Sequence, residues 1–181
     1  MLALVWALAL HTQAGRKLDL RVYAGFDPLG DETLLREFSK GAHLGDPRPA
    51  LYLTVGVIVL ALVVAGVRCA IVVAGVTALS NLTTVALAST LSIARAPLPD
   101  ANLWPSNHTT AVAAAAMSLL LIFRGRLRWP AALLAYGMTV GIALMLLIRG
   151  THLFSDVIAA VLVTGFWTAV GAHVLRAHAS S

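Results

Sequence analysis

Beyond residue 49 the chain is a series of long apolar runs broken by short polar punctuation. The runs cover about Ala50 to Gly66, Ala70 to Ile93, the stretch from after Pro105 to Phe123, Pro130 to Ile148 and Thr151 to Val174. Each approaches the roughly 20 residues that a helix needs to cross a hydrocarbon core of about 30 Å. Arg68 with Cys69, Arg95 with Pro97 and Pro99, Arg124 to Arg128, and Arg176 mark the breaks, as expected where helices end at a membrane surface. The pattern predicts an all-α, polytopic transmembrane bundle with five clear spans over residues 50–175, followed by a cytoplasmic tail at 176–181.

The first 49 residues read differently. Met1 to Leu10 is apolar but covers only about 15 Å as a helix, half a bilayer. Residues 1–12 are read as a short or truncated sixth span whose natural start could lie upstream. A signal-peptide core is the alternative, with Thr12-Gln13-Ala14 as its cleavage site, but no basic region precedes it. Residues 13–49, of mixed charge with Gly and Pro, are expected to form an extracytoplasmic loop. Within it, Leu34, Leu35 and Phe38 of the amphipathic stretch Glu32 to Phe38 could rest on the bilayer.

Composition agrees with the pattern. Hydrophobic residues make up 59% and charged residues 12%, against about 45–50% and about 25% in soluble domains. A mean hydropathy of +0.86 leaves too little polar surface to coat a water-soluble globule. A soluble enzyme, a cytosolic binding domain and a disordered chain are thereby excluded. The single Cys69 rules out an intrachain disulfide.

The net charge of +5 would suit a nucleic-acid binder, but its distribution gives a different answer. With residues 13–49 outside, Arg68, Arg124, Arg126, Arg128 and Arg176 all fall inside, with no acidic residue beside them. The outer side then carries eight basic and eight acidic residues, so the whole excess faces the cytoplasm. This is the positive-inside signature of membrane topology, and no nucleic-acid partner is expected.

Under this topology the unusual polar residues gather at the outer helix ends. They are Arg95, the segment Pro105-Ser106-Asn107-His108 and the segment Arg149 to Asp156. Ionisable residues at membrane depth are costly and mark functional sites by default. Ser106 after a proline suits an N-cap, and the first-turn amides beyond it could bind an anion next to His108. The plain alternative is a simple cap with His108 at headgroup level. Arg149, His152 and Asp156 are spaced three and four apart, which would put them on one face of the fifth helix. There Asp156 could fix the His152 tautomer and free the other ring nitrogen to attack an electrophile, while Arg149 held phosphate oxygens. An ion pair that only joins helices is the competing explanation.

These segments resemble the type 2 phosphatidic acid phosphatase superfamily. Pro105-Ser106-Asn107-His108 is similar to its P-S-G-H motif and His152-x-x-x-Asp156 to the H-x-x-x-D of its third motif, in the family's order and at outer helix ends. The resemblance covers about residues 50–175 and implies a membrane phosphatase acting on a lipid phosphate or pyrophosphate of polyprenyl or diacylglycerol type. It implies that His152 is the nucleophile forming a phosphohistidine, that Asp156 orients it and that His108 is the general acid. Arg95, Ser106 and Asn107 in the first motifs, with Arg149 as a substitute cation, would bind the phosphate. No metal or other cofactor is implied, and the sequence holds no cluster with metal-ligand spacing.

The departures from the family pattern are specific. Ala88 stands seven positions before Arg95, where the family has lysine, and Ala96 replaces a proline. Asn107 replaces a glycine, and Leu146 stands six positions before His152, where arginine is usual. A catalytically inactive relative that binds lipid phosphates or scaffolds a membrane complex is therefore the rival expectation. The expected setting is a bacterial plasma membrane with the site on its extracytoplasmic side. His11, His43, His173 and His178 are read as surface residues without carboxylate partners, Ala111 to Ala116 as a packing run, and Trp6, Trp104, Trp129 and Trp167 as interface anchors.

Overall fold

The computed structural model of the chain describes residues 2–26, 40–91 and 104–177, helical almost throughout and without a strand among them. The helices are α1 (Leu2–His11), α2 (Gln13–Phe26), α3 (Pro47–Ala65), α4 (Val67–Leu91), α5 (Asn107–Ile122), α6 (Arg128–Ile148) and α7 (Phe154–Ala177), with 3-10 turns at His43–Gly45 and Gly125–Leu127. Arg95, the Glu32 to Phe38 stretch and residues 178–181 lie outside the described residues.

Four helical segments, Pro47–Ala65, Val67–Leu91, Gly125–Ile148 and Phe154–Ala177, are long and apolar enough to cross a membrane. Five spans were expected. The difference is α5, which has 16 residues and so covers about 24 Å. Its position explains how so short a helix is accommodated, because it sits at the centre of the bundle and packs on α3, α4, α6 and α7. Ala111 to Ala116 are at most 7% exposed, and their small side chains let four neighbours close around one axis. On the outside of the bundle the burial pattern inverts. Leu51, Val55, Val59 and Val63 of α3 and Leu133 of α6 are exposed, an apolar surface suited to lipid.

Several hydroxyls inside the bundle bond along their own helices or between neighbours, whereas those of Ser80, Thr109 and Thr168 are buried without a partner among the described residues. Thr77, Ser118, Thr139 and Thr164 donate to carbonyls four residues back. Thr110 Oγ1 donates to the Ser106 carbonyl, so in the 2.9 Å contact between Thr84 and Thr110 it is Thr84 that donates, joining α4 to α5. Trp167 Nε1 donates to Thr83 Oγ1, and Trp104 is buried against Leu10 and Ala159. Both were expected at the interface. Of the four tryptophans only Trp129, exposed at 78%, stands out toward it as an anchor would.

The N-terminal region departs most from expectation. Residues 13–26 form α2 where a loop was expected, and α1 and α2 make a tight hairpin. Thr12 ends α1 by donating to the Leu8 carbonyl and starts α2 by accepting from the Gly15 amide. At Gly15 a Cβ would overlap the Leu8 carbonyl oxygen, so only glycine lets the helices meet there. Gly15→Val is expected to open this corner at a cost of about 3 kcal/mol or more, read as a fall in the thermal midpoint of the detergent-solubilised protein. An unchanged midpoint would show that the corner is not needed. Ten residues of α1 do not span a bilayer; the helix packs on α7 and places Leu10 beside Trp104 and Ala159.

Candidate active site

The starts of α3, α5 and α7 and the ends of α4 and α6 share one end of the bundle, and the chemistry-bearing residues collect there. Ser106 caps α5, its Oγ accepting from the Thr109 amide at 3.2 Å. With that amide taken, an anion at this helix start would meet the Asn107 and His108 amides. The Ser106 amide donates to the Asp156 carbonyl at 3.1 Å, a main-chain bond that ties the start of α5 to the start of α7. Asn107 also lines a separate cleft of about 350 Å³ with Gly45, Thr54 and Asn81.

Arg149, His152 and Asp156 do not share a helix face. Gly150, at φ +65°, terminates α6: the Gly150 amide bonds to Leu147 and the Thr151 amide to Leu146, the two bonds of a Schellman ending. Arg149 is thus the last residue of that helix end, and His152 lies in the short turn before α7. The new helix starts at Phe154 because Asp156 reaches back to accept from the Leu153 amide at 2.9 Å, as the acidic member of a capping box does.

His152 and Asp156 nevertheless meet. His152 Nδ1 lies 3.5 Å from Asp156 Oδ2, longer than a hydrogen bond and within reach of one by a small ring rotation; both side chains are at least nine-tenths buried. Across from them stands His108, its ring centroid 6.0 Å from that of His152. A buried imidazole beside a carboxylate, with a second imidazole across from it, is an arrangement that could serve phosphoryl transfer.

His108 has a carboxylate partner of its own. Its Nε2 lies 3.1 Å from Asp46 Oδ1, and the other oxygen of Asp46 is 2.6 Å from His43 Nδ1. The 3-10 turn that delivers Asp46 sits on the first turn of α5, where a Cβ on Gly45 would approach the His108 Cβ to 2.6 Å. His43 therefore has a carboxylate partner at i+3, contrary to its reading as an isolated surface histidine. His43–Asp46 was legible in the spacing, and Asp46 before Pro47 is an ordinary helix-start signal.

The His43 hydrogen bond holds the Asp46 carboxyl below its ordinary value of 3.8, with His108 adding to the effect. A carboxyl lowered by folding contributes stability above its unfolded pKa and loses it as pH falls through the folded value. The attachment of the 43–46 turn to His108 is thus expected to persist down through pH 3.8 and to release only in stronger acid, and not at all in Asp46→Asn, which has no such titration. Carboxyl-carbon NMR of labelled aspartate checks this. A midpoint at or above 3.8 for Asp46 would contradict it.

Comparison of the chain with protein-family models, curated proteins and solved structures returns no match. The site therefore rests on its own geometry.

One further residue belongs to that geometry and was not foreseen. Asp19 of α2, 3% exposed, accepts from the Ser155 amide at 2.9 Å with one oxygen and from the Ser155 hydroxyl at 2.7 Å with the other. A carboxylate at the first turn of α7 is favoured by the helix dipole. It fastens the α1–α2 hairpin beside His152, and Tyr23 of α2 packs against Gly150 of the preceding turn. Nothing in local spacing links positions 136 residues apart, so no sequence signal identifies the pair. Ala88 and Leu146, where the resembling family carries cations, are both buried.

Proposed function

We propose that the protein is an integral membrane phosphatase that hydrolyses a phosphate monoester or pyrophosphate on a lipid of polyprenyl or diacylglycerol type. The observation that carries this reading is the buried His152–Asp156 pair facing His108 at a membrane-level helix start. His152 Nε2 attacks the terminal phosphorus and its bond to the leaving oxygen breaks, while His108 delivers a proton to that oxygen, an alkoxide in a monoester and a phosphate oxygen in a pyrophosphate. The products are phosphorylated His152 and either the lipid alcohol, from a monoester, or the lipid monophosphate, from a pyrophosphate. Water, deprotonated by His108, then attacks the phosphohistidine and releases inorganic phosphate. With Nε2 of His108 facing Asp46, Nδ1 is the ring atom left for the leaving group.

Arg95, Arg149, Ser106 and the Asn107 and His108 amides are proposed to bind the phosphate. In this reading the chain crosses a bacterial plasma membrane five times, with α5 as the short central crossing. The arginine end faces the cytoplasm and the site faces outward. Lateral access at a helix end lets the hydrocarbon chain remain in the bilayer while the headgroup reaches the histidines.

A second reading is favoured by the two missing cations. Ala88 and Leu146 supply no charge, and each absent contact could cost about 2–4 kcal/mol of transition-state stabilisation. A protein with this deficit that binds lipid phosphates without turning them over would have the same architecture. The two are separated by incubating purified protein with a radiolabelled diacylglycerol phosphate, a polyprenyl phosphate and a polyprenyl pyrophosphate. The phosphatase releases phosphate and passes through a phosphoenzyme that is labile in acid and stable in alkali. Binding without release from all three would establish the inactive alternative.

A further inference from the structure

The opposite end of the bundle carries an uncompensated cluster of arginines. Arg68, at the start of α4, donates to the Val174 carbonyl of α7, and Cys69 donates to the Leu121 carbonyl of α5, so the end of α5, the start of α4 and the end of α7 are neighbours. A cleft of about 350 Å³ opens there, lined by Arg124 and Arg128 on either side of the 125–127 turn and by Arg176 of α7, with Phe123 and Leu175 beneath them. The three arginines are exposed, and none makes a hydrogen bond or ion pair with another described residue. The three described aspartates, Asp19, Asp46 and Asp156, all lie at the other end.

Leu120 lines this cleft and also a second, almost wholly apolar groove of about 460 Å³ between α5, α6 and α7, walled by Ala132, Tyr136, Val140, Leu144 and Val161. The cation-lined space and the hydrocarbon-lined one thus adjoin at Leu120. Trp129, exposed beside Arg128, stands as aromatic side chains at a bilayer boundary do.

We propose that this end of the bundle binds the phosphate of an anionic phospholipid, with Arg124, Arg128 and Arg176 around the headgroup and one acyl chain in the groove beyond Leu120. Guanidinium forks match phosphate oxygens, and basic pockets between transmembrane helices select anionic headgroups. A soluble phosphate would use the arginines alone; the apolar groove adjoining them at Leu120 favours a lipid as the ligand. This site lies at the far end of the molecule from His152, and its occupancy does not depend on whether phosphate esters are hydrolysed.

The test measures lipid retained by the full-length protein after exchange into detergent, by native mass spectrometry with dioleoyl phosphatidylglycerol and with dioleoyl phosphatidylcholine. Phosphatidylglycerol is expected to be preferred. The combined Arg124→Gln, Arg128→Gln, Arg176→Gln variant is expected to lose affinity for it by about 100-fold, roughly fivefold for each arginine. The corresponding triple lysine variant keeps the preference, and so does Arg126→Gln, since Arg126 does not line the cleft. Leu120→Trp, which fills the junction, weakens retention of phosphatidylglycerol with the arginines intact. Equal retention of the two lipids by the unaltered protein, or displacement of phosphatidylglycerol by glycerol phosphate at equal concentration, would overturn the proposal.

Discussion

Replacing His152 with alanine is expected to reduce phosphate release from a lipid phosphate to the uncatalysed level, a loss on the order of 10⁴-fold or more. The size follows from the proposed role: without the imidazole no phosphoenzyme forms, and the helix-start amides alone do not supply a nucleophile. Asp156→Asn is the more informative companion. An asparagine oxygen can still accept from the Leu153 amide, so the start of α7 survives. What is lost is the negative charge 3.5 Å from His152 Nδ1 that selects the tautomer and stabilises the charged ring. A fall of about 10²–10⁴ in turnover with little change in thermal midpoint is expected. Wild-type turnover in Asp156→Asn would mean that the carboxylate is only a helix cap, and measurable phosphate release from His152→Ala would remove His152 as nucleophile.

The largest expected effect on stability lies at Asp19. Asp19→Ala leaves the Ser155 amide and hydroxyl buried without the acceptors that now hold them. Each such group costs about 1–3 kcal/mol, so a loss of about 3–5 kcal/mol is expected. Asp19→Asn keeps one acceptor oxygen and should lose roughly half as much. The loss should appear first as detachment of the α1–α2 hairpin, because that is the element Asp19 fastens. Limited proteolysis at residues 12–16 would show it before the bundle melts. Resistance equal to that of the unaltered protein would place the strength of the attachment elsewhere, in Leu10 against Trp104 and Ala159.

Most of the bundle was legible because a bilayer demands long apolar runs, and Arg, Gly and Pro mark their ends. Pro47–Ala65 and Val67–Leu91 follow the sequence reading within a few residues. The errors have a common cause: interactions between distant segments. Residues 13–26 look polar enough for a loop, yet they are helical because Thr12 caps them and Asp19 finds Ser155. Trp104 and Trp167 looked like interface anchors because hydropathy does not tell a lipid-facing face from one covered by a neighbouring helix. The pairing of His152 with Asp156 was legible from spacing, but for the wrong reason: the four-residue interval is closed by a turn and a capping bond rather than by a continuous helix. Arg149 was assigned to that same helix because Gly150 was not recognised as the terminator of the one before it.

The bond from the Ser106 amide to the Asp156 carbonyl ties the two segments that carry the histidines through main-chain atoms. Ser106 is two residues before His108, and Asp156 is four after His152, so the two segments are joined by backbone atoms that no ordinary side-chain replacement removes. Only proline at position 106 deletes the donor. Residues around the gap can therefore change in size and charge while the two segments keep their register.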